Sequence, residues 1–202
     1  MSEFSEIFQQ NTEHFNKIQE IIAKTYNEWQ HCGSYLMSPP SLEYDPRMIG
    51  KQVNLFNSAK PAKRILEIGV HAGHSLLIML LANPQSKIDC IDIPWFSHTE
   101  PCINYLNSAF NDRITFHKGN SLDVLPYING PYDLVHIDGA HDINIITKEI
   151  EWFFNNNSIG TTLVLDDFRT TTGLAEYVTN CSKLKIVDVP ECLHTNCVCN
   201  YV

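Results

Sequence analysis

The sequence predicts an α/β domain whose mostly parallel, seven-stranded sheet is covered by helices on both faces. Three observations carry this. From Arg64 onward, short apolar runs of strand character alternate with stretches of helical periodicity, the rhythm of parallel strands joined by crossover helices. The 202 residues, 44% of them hydrophobic and 18% charged, suffice for one well-cored domain and not for two. The last two strand-like runs are joined by a segment too short for a crossover helix, so the C-terminal strand should form an antiparallel edge.

Taken in order, residues 11–30 read as an amphipathic helix. Phe15, Ile18, Ile22, Tyr26 and Trp29 recur at helical spacing, and Asn11 or Thr12 caps the start. Gly33 and then Ser38-Pro39-Pro40 end it. Residues 46–57 form a second helix, stopped by Ser58–Pro61. Residues 1–60 are therefore an N-terminal helical cap on the domain body at 61–202. In that body Ile65–Ile68, Lys87–Ile93, Ile114–His117, Leu134–Ile137 and Thr161–Leu165 are strands. Helices at His74–Ala82, Thr99–Phe110, Ser121–Leu125, Asp142–Phe154 and Gly173–Asn180 follow them in turn. Lys183–Val189 and Cys197–Val202 close the series. Ligands of such sheets bind beyond the carboxyl ends of the strands.

Composition narrows the partners. A net charge of −9 with no basic run argues against a nucleic-acid surface, because neutralising phosphates needs clustered Lys and Arg. The opening residues lack the charged and apolar regions of a signal peptide, and the longest apolar stretch, Leu76–Ala82, is too short to span a bilayer. The expectation is a cytoplasmic protein acting on a small molecule, with no membrane or nucleic-acid partner; nothing sets an oligomeric state. Seven cysteines are an odd count and read as buried free thiols, and the spacing from Cys192 to Cys199 matches no common zinc pattern.

The chemistry begins at the first strand, which runs into Gly69-Val-His-Ala-Gly73-His-Ser75 and a helix. Glycines at such a turn let the backbone approach a ligand. The G-x-x-x-G spacing is not that of dinucleotide binders. Glu67 beside it would repel a pyrophosphate and welcome an amino group or a ribose hydroxyl. The second strand ends in Asp92, 25 residues after Glu67, where a carboxylate can accept from both ribose hydroxyls. Gly119-Asn-Ser-Leu-Asp123 then offers small polar groups to a purine edge.

Together, ILEIGVHAGHS, IDCIDIP, FHKGNSLDVLP, YDLVHIDGAHD and GTTLVLDDF resemble successive motifs of class I S-adenosylmethionine-dependent methyltransferases. They are most similar to the small O-methyltransferases related to catechol O-methyltransferase and to the sugar and antibiotic O-methyltransferases. The likeness runs from about Gly50 to the C-terminus and implies a Rossmann-like fold. It implies that Glu67, Gly69 and Ser75 hold the methionine end of S-adenosylmethionine, with Gly73 in the same loop, Asp92 on the ribose, and Ser121 with Leu122 on the adenine. Trp95 is either a further wall or a half-buried aromatic. His71 and His74 pack or line the loop, and His136 is a buried strand residue.

Three acids stand at later strand ends: Asp138, Asp166 and Asp167. If the two strands are neighbours, about 4.8 Å apart, the three carboxylates converge and raise one another's pKa. A hard divalent cation relieves that, and an all-oxygen set suits Mg²⁺. In the resembling O-methyltransferases these three positions are the metal ligands. A metal-bound hydroxyl loses its proton easily, after which the protein aligns that oxygen with the sulfonium methyl. His141, three residues past Asp138, stands where catechol O-methyltransferase has its catalytic lysine, and imidazole titrates near neutrality, so His141 with Asp138 is the expected catalytic set. The sugar-modifying relatives place an aspartate at the position of Ala140, and that route is closed here. Plainer readings stand beside these: Asp138 on the cofactor's amino group without a metal, Asp166-Asp167 as capping residues, His141 as a helix-start residue. Tyr35, Leu36, Met37 and Tyr44 either floor the acceptor or pack the core. A metal-independent methyltransferase acting on nitrogen or a macromolecule, and a non-catalytic binding module, are the competing functions.

Overall fold

A computed structural model of the chain describes residues 2–25, 34–38 and 41–202. Its seven strands are β1 (Arg64–Ile68), β2 (Lys87–Asp92), β3 (Ile114–Lys118), β4 (Leu134–Ile137), β5 (Thr162–Leu165), β6 (Leu184–Asp188) and β7 (Cys197–Tyr201). They lie in one sheet in the order β3-β2-β1-β4-β5-β7-β6. The first five are parallel, and β7 runs antiparallel to both β5 and β6. The C-terminal strand is thus second from the edge. Cys197, Val198 and Cys199 are buried there, while β6, with Lys185 and Asp188 exposed, takes the edge, where charge discourages further pairing. Strand order reverses between β1 and β4, and a crevice opens at that switch point.

Strand alternation divides the core. Ile65, Ile88, Leu134, Val164 and Val198 face one side and pack with α1 (Glu3–Gln10), α2 (Thr12–Ala23), α3 (Ile49–Ala59), α4 (His74–Ala82) and α5 (Thr99–Ala109). Leu66, Ile68, Val135, Ile137, Leu163 and Leu165 face the other and pack against α7 (Ile143–Asn156) and α8 (Leu174–Asn180), with the one-turn α6 (Ser121–Val124) beside them. Every residue of α4 from His74 to Leu80 is buried, which fits a helix sandwiched between the sheet and the N-terminal helices rather than one with a wet face. At about 2 kcal/mol for each buried Leu, Ile or Met side chain, this helix is a large part of what holds the cap to the sheet.

The N-terminal region departs from the single helix expected over residues 11–30. α2 ends at Ala23, and a separate α1 precedes it, with Asn11 between them. α1 is only 8 residues long, too short for periodicity to reveal it. It is fixed by Ser2, whose Oγ accepts the Ser5 N–H, and by Phe4 and Phe8, which are buried and stacked at 5.5 Å. Tyr26, Trp29, Gly33, Pro39 and Pro40, which figured in that reading, lie outside the described residues. Among the described residues no helix is long and apolar enough to cross a membrane. Cys90, Cys102, Cys181, Cys192, Cys197 and Cys199 are free thiols.

Candidate active site

β1 delivers the chain into Gly69 at φ +88°, a conformation that favours glycine. A Cβ at this position would lie 2.3 Å from the Asp138 carbonyl oxygen, so only glycine lets the loop after β1 meet the end of β4. Gly73, at φ +78°, caps α4 and approaches Leu106, and it lines neither of the cavities described below. Asp92 shapes the loop from the side, because its Oδ2 accepts the N–H groups of Val70 and His71, both at 2.7 Å. Burial raises its pKa, and those backbone bonds work against the rise.

Beyond the ends of β1–β3 lies a cavity of about 530 Å³, whose walls include Gly69, Asp92, Ile93, Trp95, Asn120 and Ser121. Ser121 Oγ donates to Glu149 Oε1 at 2.5 Å, and burial pushes Glu149 up to about 7 against the pull of that bond. Glu149, on α7, was not foreseen. The Leu122 N–H is taken by the Asn120 side chain at 2.9 Å and Leu122 does not line the cavity, so the turn presents Asn120 and Ser121 in its place. Trp95 lines this cavity and is 81% exposed rather than half-buried.

A second cavity, of about 440 Å³, adjoins the first, with Gly69, His71, Phe96, Asp138 and His141 lining both. Ser75 lies in its wall, as do Tyr35, Lys51, Asp166, Asp167 and His194. β4 and β5 are neighbours in the register Ile137↔Leu165, as the convergence of the acids requires. The Asp138 N–H donates to Ile68 O at 2.8 Å and the Asp166 N–H to Ile137 O at 3.0 Å, which locks both backbones at the strand ends. By alternation both side chains fall on the α3 side, with Leu134 and Val164. Burial, then Asp166, raises the Asp138 carboxyl well above the ordinary range. Asp167 sits at φ +47°, and its carboxylate takes His141 Nε2 on Oδ2 at 3.0 Å, with His194 Nδ1 3.6 Å from Oδ1.

Two expected roles change. Glu67 lines neither cavity; it is fully buried, and its Oε1 is held by His136 Nδ1 at 3.0 Å. β1 and β4 pair Glu67 with His136, so both side chains point to the same face beneath the site. The contacts run further. Asn196 Nδ2 donates to Tyr35 Oη at 3.3 Å, and the Tyr35 hydroxyl shares a hydrogen bond with His136 Nε2 at 2.9 Å. Glu67 thus anchors the floor of the site through Oε1, while its Oε2 is buried with no hydrogen-bond partner among the described residues. Tyr35, Leu36 and Met37 are buried as core, Tyr35 alone of the three also lining the acidic cavity. His136 is buried as expected, and burial lowers His71 to about 4 and His74 to about 3, which keeps both neutral.

Asp166 is the other change. Its Oδ2 is bound by the ammonium of Lys51 at 2.8 Å, with the two side chains 2% and 4% exposed. Its Oδ1 is buried too and has no hydrogen-bond partner among the described residues. A bare three-aspartate oxygen set for Mg²⁺ does not fit this arrangement, because one of the three, in the cavity wall, already holds a cation. Among the described residues the group that could hold a metal is Asp138, His141 and Asp167, whose ligand atoms lie within 4.8 Å of one another. Lys51 and His194 carried no signal in sequence reading: a lysine in an amphipathic helix and a histidine in a loop are ordinary until the fold brings them to the acids.

The matches to known proteins agree with this geometry. Residues 66–168 match the family model described as a methyltransferase domain. A catechol O-methyltransferase of Mycobacterium tuberculosis is 31% identical over 121 residues, 58% of this chain and 54% of that protein. A catechol O-methyltransferase of Niastella koreensis is 26% identical over 133 residues, 63% of this chain and 59% of that one. The chain thus spans little more than half the length of these curated relatives. Among solved structures, the O-methyltransferase TomG of Streptomyces achromogenes, in complex with S-adenosylmethionine, superposes with a TM-score of 0.68 at 18% identity over 94% of this chain and 90% of that one. At that identity the likeness establishes the fold. The family match covers more than half of the chain, and the crevice lies where that fold binds its ligand. The chain belongs to the class I S-adenosylmethionine-dependent methyltransferases, in the family of the methyltransferase domain.

Proposed function

We propose that the chain binds S-adenosylmethionine and transfers its methyl group to a hydroxyl oxygen of a small acceptor of phenol or sugar type. The observation that carries this is the His141–Asp167 pair, set at the seam between a cavity of nucleoside dimensions and an acidic one. The adenosine would lie in the first cavity, its ribose against Asp92 and its purine near Ser121. The sulfonium would then lie by Gly69 and Asp138, where the surrounding carboxylates favour a cation. The acceptor would enter over His141, which is exposed.

The proton path is set by the imidazole. His141 Nε2 lies 3.0 Å from Asp167 Oδ2, so an imidazole that keeps its proton on Nε2 would offer Nδ1 to the acceptor's proton, and Asp167 would steady the imidazolium that forms. The oxygen–carbon bond forms as the sulfur–carbon bond breaks, and the sulfonium leaves as a neutral thioether. Alignment of the two reacting atoms does most of the work.

Divalent-ion assistance is a second reading, favoured by the grouping of Asp138, His141 and Asp167. An ion there would stabilise the acceptor oxyanion; Lys51 on Asp166 weighs against it. Calorimetry with S-adenosylmethionine tests the cofactor, and mass spectrometry after incubation with catechols, phenols and sugars tests the transfer. Binding and a methylated hydroxyl are the expected results. No binding would end the reading, and methylation confined to nitrogen would redirect it.

A further inference from the structure

Lys51 is a charged group buried where no charge should be without a purpose. It lies in the first turns of α3, and its ammonium is 2.8 Å from Asp166 Oδ2. The Tyr35 ring centroid is 4.1 Å from the same nitrogen, a cation–π contact between two buried side chains at the wall of the acidic cavity. The backbone is fixed as well, because Asn196 Nδ2 donates to the Lys51 carbonyl at 3.2 Å. Burial alone would lower the lysine's pKa, but Asp166 and Asp138 outweigh it and leave it above the ordinary value.

We infer that Lys51 is the resident cation of this site: its ammonium neutralises the acidic cluster from within the chain, so that the cluster does not take up a divalent ion. Two geometric facts support this. An ion seated among Asp138, Asp166 and Asp167 would have to share Asp166 with an ammonium that cannot withdraw, since its nitrogen sits over Tyr35 and its backbone is pinned by Asn196. The donors left, Asp138, His141 and Asp167, include an imidazole already engaged by Asp167. A dication there would also be repelled by the ammonium behind it. Lys51 is a positioning residue: it acts through Asp166 and the field on Asp138. The inference rests on the cluster being the reaction site, yet its test does not need turnover.

The test is calorimetric titration of the purified protein with MgCl₂ alone, repeated by electron paramagnetic resonance with MnCl₂. Wild type should bind neither ion at millimolar concentration. Lys51→Met, which keeps the length and removes the charge, should bind at least about tenfold tighter than wild type, because the repelling charge is gone. Lys51→Arg should remain as indifferent to metal as wild type. A merely structural ion pair would lower the melting temperature of Lys51→Met without creating a metal site, and that result overturns the inference. So does wild-type binding of Mg²⁺ that disappears in Asp138→Asn. If Lys51→Met does not fold, Lys51→Gln serves in its place and the wild-type titration still decides. Metal indifference together with failure to bind S-adenosylmethionine would count against the proposed function and leave the inference standing.

Discussion

The two cavities that meet at Gly69 and Asp138 manage charge in opposite ways. On the nucleoside side each carboxylate acts alone. Asp92 is steadied by two backbone N–H groups, and Glu149 by a single hydroxyl, with no cation among the described residues in contact with either. On the acidic side the carboxylates are handled in company, Asp166 by Lys51 and Asp167 by His141 with His194 nearby. The first arrangement rests on main-chain geometry and suits a ligand recognised by shape and hydroxyl pattern. The second rests on side chains that other sequences can exchange, and there this chain sets its own chemistry.

The comparison can be broken most severely at the seam. Gly69→Ala puts a methyl group 2.3 Å from the Asp138 carbonyl at a φ of +88°, so neither backbone can stay where it is. S-adenosylmethionine binding, measured by calorimetry, should fall by about a hundredfold or vanish. A variant that binds normally would show that the two loops are not held by this contact.

His141→Ala separates the sides. Removing a general base costs about a hundredfold or more in kcat. Affinity for the cofactor should move far less, since the imidazole stands at the seam of the two cavities and faces Asp167 on the acidic side. Equal losses in both would place His141 in binding instead. Asp92→Asn is the converse: the side chain keeps an acceptor for the loop but loses its charge, so cofactor affinity should weaken about tenfold while the fold is kept. Unchanged affinity would remove Asp92 from the ribose.

The smallest effect is on stability. Glu149 is raised from 4.5 to about 7 by burial, so the folded state holds its proton more tightly than the unfolded one. The associated stability is therefore present below about pH 4.5 and lost as pH rises through about 7, amounting to about 3 kcal/mol at most. Glu149→Gln removes the titration. The difference in melting temperature between variant and wild type should grow in the variant's favour from pH 5 to pH 8, and a difference independent of pH would refute the assignment.

Sequence reading went furthest where backbone pattern and side-chain role coincide. The strand-to-helix rhythm gave β4 and the helix His74–Ala82 their observed bounds, and the glycine and aspartate at the first two strand ends line the expected crevice. It fell short where a role depends on what lies across the fold. Glu67 was assigned to the ligand from its proximity to the loop, but one residue of strand alternation sends it to the opposite partner, His136. Asp166 was read as a free acid because Lys51 stands 115 residues away. Leu122 was misassigned because a cap bond from Asn120 had consumed its N–H. Pairings of this kind have no local signature.

The left-handed backbone at Asp167 narrows what evolution can install there. Among non-glycine residues only a few, Asp and Asn foremost, enter that conformation readily. The main chain therefore screens candidates before catalysis does, and the residue that faces His141 is drawn from a vocabulary of two or three side chains. The most economical change at this position is Asp to Asn, which preserves the bend, removes one negative charge, and would retune the histidine without rebuilding the loop.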